Sequence, residues 1–322
     1  MFAYYWADGL SLRDPGRLSP ESPKRNQVLH PEKILLPSMQ GLKRSIEPRG
    51  ESVLLEIHET KYVSFVKEAA SRGQRFLDSG DTVVTDNIYP DSLLAASSGI
   101  NALEAMANEG IQRAFCAVRP PGHHANQMRA LGFCVFNNAA IAARFAQKIL
   151  GTSRVLIVDW DVHPGNGTEE IFWSDPSVFT LSFHEKGIFA AAGSEDRIGD
   201  GAGKGFSRNV NIEPLATKEH YLEIYKKVLF EVVESYRPGL IIISAGFDAH
   251  RRDTVSRLKL EDETFSEMTR ILLDASLLSA KGRVLSLLEG GYDLIALENS
   301  VKAHCQAMIE ASPTMSFSSN TP

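Results

Sequence analysis

The chain has 322 residues, 43% of them hydrophobic and 23% charged, with a formal net charge of −6. This composition excludes a fibrous or disordered class, and the negative balance argues against a nonspecific nucleic-acid binder, which would carry a basic excess. Three widely separated cysteines, Cys116, Cys134 and Cys305, form neither a C-x-x-C pair nor an even-numbered framework, so a reducing, cytoplasmic setting is expected.

The opening "MFAYYWADGLSLRDPGR" lacks the basic start and apolar core of a signal peptide, and no apolar run approaches membrane-spanning length; neither export nor a membrane is expected. The first 50 residues, with Pro15, Pro20, Pro23, Pro31, Pro37 and Pro48, read as loop-rich. Further along, strands are expected at 114–118, 154–160, 177–183, 240–247 and 283–291, and helical spacing begins at 137, 218 and 261. "VLIV" and "LIIIS" are apolar at consecutive positions, as in strands buried on both faces of a parallel sheet. Strands alternating with helices predict a single α/β domain over 1–311 with helices on both faces of a mainly parallel sheet, and a Ser/Thr/Pro-rich tail at 312–322 that should be poorly ordered.

Open parallel sheets bind ligands beyond the carboxyl ends of their strands. Polar clusters stand at those places: "RPPGHHA" with His123 and His124, "DWDVHPGNG", "DAH" with Asp248, and Tyr292 after "LEGG". Alternate residues of an extended segment point the same way, so Asp161 and His163 can face one site. With Asp248 they give two carboxylates and an imidazole, a set that suits Zn²⁺ or Fe²⁺ and leaves coordination positions open for water and substrate. A lone acidic residue after a strand is more simply a helix cap or a loop charge; four convergent clusters favour the metal. An imidazole with a pKa near ~6.5 exchanges protons close to neutrality, and Pro120, Pro121 and Gly122 would fix the loop that carries the histidine pair.

"RPPGHHA", "GFCVFNNAAIAA", "VDWDVHPGNGT", "SAGFDAHRRD" and "LEGGYD" fall in order between about 113 and 293, with weaker similarity back through "HETKYVSFV". Together they resemble the zinc-dependent histone deacetylase family of the arginase–deacetylase superfamily, most closely its class II and bacterial histone deacetylase-like amidohydrolase members. The resemblance implies the arginase–deacetylase fold and zinc ligands Asp161, His163 and Asp248, with Fe²⁺ or Co²⁺ as substitutes. It makes His124 the general base and later acid, His123 its electrostatic partner, and Tyr292 a donor to the substrate carbonyl. Asp159 would orient His123 and Asn166 would face His124; class I relatives have Asp at the latter place, and a neutral partner should leave the imidazole less basic. A structural K⁺ would sit on Asp159, Asp161 and His163, chiefly on main-chain carbonyls, with Ser182 and Phe183. Phe133 and Phe189 resemble the aromatic walls of a tunnel for an acyl-lysine stem, and Gly132, Gly290 and Gly291 would let backbone come close.

Two departures concern the tunnel mouth. "FAAAGSED" replaces the family's Pro-Gly-Thr-Gly turn, keeping Gly193, and Val255 stands at a gate position where a polyamine-selective branch has Glu. Arg25 of "SPESPKR" is a candidate channel arginine, and Asp81, Asp86 and Asp91 are candidate amine contacts on another rim loop, each more simply a solvated surface charge. The expected reaction is removal of acetyl or other acyl groups from lysine ε-amines in proteins or peptides, releasing acetate, with acetylpolyamines as the alternative substrates. A noncatalytic acyl-lysine-binding protein would have a damaged catalytic set, and a dinuclear manganese, arginase-like enzyme would not need this His pair and tyrosine. No direct nucleic-acid partner is expected, a homo-oligomer that completes the rim is allowed, and the compact length suggests a bacterial protein, with nuclear or organellar residence also open.

Overall fold

Among the described residues, eight strands form one sheet in which every pairing is parallel: β1 (Phe2–Tyr5), β2 (Lys43–Arg44), β3 (Arg113–Cys116), β4 (Val155–Asp159), β5 (Val178–Glu185), β6 (Ser207–Ile212), β7 (Leu240–Ala245) and β8 (Val284–Leu288). The spatial order is β2-β1-β3-β8-β7-β4-β5-β6. This computed structural model describes residues 1–10, 16, 19–189 and 192–310. The expected tail at 312–322 lies outside the described residues, as do positions 190 and 191 of "FAAAGSED".

Strand periodicity divides the apolar residues between two cores. On β4, Leu156 and Val158 join a core with helices α7 (Lys218–Tyr236), α8 (Asp262–Leu277) and α9 (Leu294–Glu310). Val155 and Ile157 face the other core, built with α3 (Thr60–Ala69), α4 (Ile88–Asn108) and α5 (Asn138–Ile149). The short helices α1 (Pro23–Val28) and α2 (Pro31–Ile34) pack near α9, and α6 (Asn166–Ile171) follows β4. Among the described residues, no helix is long and apolar enough to cross a membrane.

The five strands expected from apolar runs are present, with ends moved by up to three residues. The reading of the first 50 residues as loop-rich needs correction, because β1 and β2 lie there and extend the sheet beyond β3. β6, "SRNVNI", was missed because this edge strand buries residues in partial alternation and carries no continuous apolar run. For function, the decisive feature is that β3, β8, β7 and β4 are neighbours. The four polar clusters that follow them therefore meet at one edge of the sheet.

Candidate active site

At the end of β4, Asp161 and His163 meet Asp248 from the segment after β7, with one ligand atom from each lying within 4.8 Å of the others. Asp161 Oδ2 accepts the N–H of Gly290 at 2.8 Å, and Oδ1 lies 3.0 Å from His163 Nδ1. Asp248 Oδ1 accepts the N–H of Val162 at 3.0 Å. Its Oδ2 is buried, accepts no hydrogen bond and approaches His163 Nδ1 at 3.3 Å. Burial opposes charge on His163, yet Asp161 and Asp248 overcome it and raise the imidazole to about 11. Burial and the charge of Asp161 raise Asp248 to about 6. A buried acceptor without a donor, in a cluster that demands positive charge, fits a divalent cation on an O, N, O donor set. Gly290 is required there, since a Cβ on it would collide with the carboxylate oxygens of both Asp161 and Asp248.

The histidine pair lies beside this cluster, ring centroids 4.0 Å apart. His123 Nδ1 donates to Asp159 Oδ2 at 2.9 Å. Burial would lower its pKa, but Asp159 and Asp161 prevail and raise it to about 10. His124 Nδ1 pairs with Asn166 Oδ1 at 2.7 Å, on the first residue of α6. Burial, then the positive potential of His123 and His163, hold His124 well below the usual imidazole range. Because an amide oxygen only accepts, Nδ1 carries the proton of neutral His124 and Nε2 is left with a free lone pair. Two adjacent imidazoles are thus pushed in opposite directions, His123 upward by Asp159 and Asp161 and His124 downward by burial and its positive neighbours.

Three further rings, Phe189, Phe133 and Tyr292, stand beside the pair and the cluster. Phe189 stacks on His124 at 5.4 Å, and Phe133 meets Tyr292 edge-on at 5.6 Å. Gly132 and Phe133 both have left-handed backbones, φ +54° and +68°, and a Cβ on Gly132 would come within 2.6 Å of His124 Cδ2. Burial, with Asp248 and Asp161 nearby, pushes the Tyr292 hydroxyl well above its ordinary range despite Arg25, so it remains a proton donor. Arg25 is fully buried, donates to the carbonyls of Gly291 and Glu289, and pairs with Glu21, which also holds Arg119.

Other expected positions fall farther out. Ser182 pairs with Asp159 across β4 and β5, and the Phe183 ring packs in the core on Tyr225. Val255 is half-buried and packs against the core. Asp81 and Asp86 are exposed, but Asp91, expected as a solvated charge, is buried in the first turn of α4, where it lines a recess with Glu21, Arg119 and Phe133. Gly291 takes φ +117° beside Phe247.

Three supporting residues escaped the sequence reading. Glu289 Oε2 accepts the N–H groups of Gly122 and His123 at 2.6 and 3.1 Å, clamping the loop that carries the histidine pair. Burial raises this carboxyl to about 7. Asp253 Oδ2 accepts the N–H groups of Tyr292 and Asp293 at 2.6 and 3.2 Å. His184 bridges Ser182 Oγ at 2.9 Å and the carbonyl of Gly193 at 3.0 Å, tying the altered rim segment to β5. Glu289 and Asp253 stand inside the quoted stretches "LEGGYD" and "SAGFDAHRRD", and an acidic residue beside a strand-end motif was the only available signal.

The histone deacetylase domain model matches residues 19–308. The chain is 33% identical over 267 residues to a probable deacetylase of Archaeoglobus fulgidus, covering 83% of this chain and 72% of that protein. It is 34% identical over 276 residues to a histone deacetylase-like amidohydrolase of Pseudomonas aeruginosa, covering 85% and 72%. A probable deacetylase of Methanothermobacter thermautotrophicus is 38% identical over 261 residues, covering 80% and 76%. The solved HDA15 HD domain superposes with a TM-score of 0.84 at 29% identity, covering 96% of this chain and 91% of that one.

Proposed function

Because the chain belongs to the histone deacetylase family, we propose that it is a zinc-dependent deacetylase acting on acyl-lysine in proteins or peptides and releasing acetate. The observation that carries this reading is the O, N, O cluster of Asp161, His163 and Asp248 beside two histidines, one bonded to the carboxylate of Asp159 and the other to the amide of Asn166. These three side chains would hold the metal, which when bound supplies a Lewis acid for the acyl carbonyl and lowers the pKa of bound water.

His124 Nε2, the free lone pair, takes a proton from the attacking water as the water oxygen bonds to the acyl carbon. His123, kept cationic by Asp159, adds a positive field as negative charge grows on the carbonyl oxygen. Tyr292 donates its hydroxyl to that oxygen, an interaction that strengthens in the transition state. The proton held at His124 Nε2 then passes to the amine nitrogen as the C–N bond breaks. The second proton of the water, left on the new carboxyl group, also goes to the amine, giving acetate and a protonated lysine amine. Phe133 and Phe189 would flank the aliphatic stem of the substrate. Asp159 and Ser182, adjacent across β4 and β5, would contribute to a K⁺ site.

A second reading, acetylpolyamine hydrolysis, draws on one feature: Asp81 and Asp91 line the same recess as Phe133. The test is kcat/KM of the zinc-loaded protein on an acetyl-lysine peptide, N-acetylputrescine and acetylspermidine, with His124→Ala as blank. Peptide preference is expected. A polyamine preference reassigns the substrate, and wild type no faster than the blank on any of the three rejects the deacetylase reading.

A further inference from the structure

Phe133 holds a backbone conformation that bulky residues rarely adopt, φ +68° directly after Gly132 at +54°. The two form the tip of a tight turn closed by Leu131 and Cys134, whose N–H groups donate to each other's carbonyls at 3.2 and 2.9 Å. Positive φ at both central residues is the signature of a type I′ turn, in which Gly or Asn usually stands where Phe133 does. A conformation of this kind persists only where its surroundings over-determine it.

The extra restraint comes from a different loop. The Phe133 N–H donates to Thr82 Oγ1 at 3.1 Å. Thr82 Oγ1 in turn lies 2.6 Å from Asp78 Oδ2, and since a carboxylate can only accept, the hydroxyl proton points at Asp78 and an oxygen lone pair is free for Phe133. Asp78 is itself fixed, with Oδ1 accepting the N–H groups of Gly80, Asp81 and Thr82 at 3.0, 2.9 and 2.9 Å. A bridge between Phe76 and Val83 closes the loop, and Thr82 is buried.

We propose that Asp78 and Thr82 are positioning residues that hold Phe133 at the tip of its turn and so set the tunnel width offered to the acyl-lysine stem. The inference rests on the reading of Phe133 as a tunnel wall. It also couples the wall to the rim, because the loop that braces Phe133 is the one that presents Asp81.

Thr82→Val removes the hydroxyl at nearly constant volume, and Thr82→Ser keeps it. A stem contact is the same in ground and transition states, so weakening it should raise KM and spare kcat. For Thr82→Val on the zinc-loaded protein, KM for an acetyl-lysine peptide should rise about tenfold with kcat within about threefold, while Thr82→Ser stays within about twofold of wild type. Amide hydrogen exchange over 131–134 should accelerate in Thr82→Val alone. Unchanged KM and exchange in Thr82→Val overturn the proposal, as does a loss confined to kcat with a general fall in thermal stability. If Thr82→Val does not fold, Asp78→Asn leaves the hydroxyl no carboxylate to donate to and should give the same KM rise in smaller measure; no rise overturns the proposal. Should wild type hydrolyse none of the acetylated substrates, the proposed function fails, and the exchange data still decide whether the brace exists.

Discussion

His123 at the rim of the sheet and His304 in the core beneath it are both buried, 3% and 0% exposed. His304 lies among hydroxyls, Nδ1 2.6 Å from Thr269 Oγ1 and Nε2 3.0 Å from Ser286 Oγ, and burial alone lowers it to about 3. His123 is raised to about 10, because Asp159 and Asp161 outweigh the same burial. Burial therefore does not distinguish a functional histidine from a structural one. Its neighbours do: His123 faces Asp159 beside the cluster of Asp161, His163 and Asp248, whereas His304 sits among core hydroxyls, so loss of the first ring should damage chemistry and loss of the second should touch stability alone.

The largest effect expected from breaking this contrast is at the rim. His124→Ala should lower kcat by about 10³-fold, within the range for a lost general base, with little change in the unfolding midpoint; a drop below tenfold in steady-state assays would remove His124 from that role. Asp159→Asn should cost about 10- to 100-fold in kcat/KM by releasing the orientation and charge of His123. Full activity across the pH profile of that variant would show that the Asp159 carboxylate is dispensable.

The smallest effect belongs to the core. His304→Gln should keep kcat within about twofold and alter only the acid dependence of stability. The folded-state pKa of His304 is depressed, so its contribution is present above the unfolded value of 6.5 and is lost as pH falls below it. From about pH 7 to about pH 5, wild type should lose about 2 kcal/mol relative to His304→Gln, because the unfolded chain gains a proton that the folded one refuses. Parallel urea titrations at the two pH values check this, and equal losses would mean that the His304 ring takes up a proton in place.

The same contrast explains what the sequence made legible. The strands β3, β4, β5, β7 and β8 could be read because both faces are buried, which writes continuous apolar runs into the chain. The ligand set was legible because sheet topology delivers strand-end residues to one edge, so Asp161, His163 and Asp248 needed only local pattern. Glu289 and Asp253 were not, because their roles depend on backbone N–H groups 167 and 39 residues away, and no short pattern encodes such distances. Thr82 was hidden in the same way, 51 residues from Phe133. β1 was obscured by the prolines that follow it, and β6 by its polar, alternating face.

Among the described residues, β8 is the last strand in sequence and yet lies between β3 and β7. Until residues 284–288 leave the ribosome, a nascent chain holds two partial sheets whose inner edges, β3 and β7, have no partner. At about 5–20 residues per second, the 38 residues between the end of β7 and the start of β8 hold those edges open for about 2–8 seconds after β7 has been made. Open apolar edges invite pairing with other chains, so this interval is when a chaperone has most to protect. Insertion of the last strand also joins the carboxylates to the histidine loop, so a chain stalled before residue 284 has neither a closed sheet nor a site.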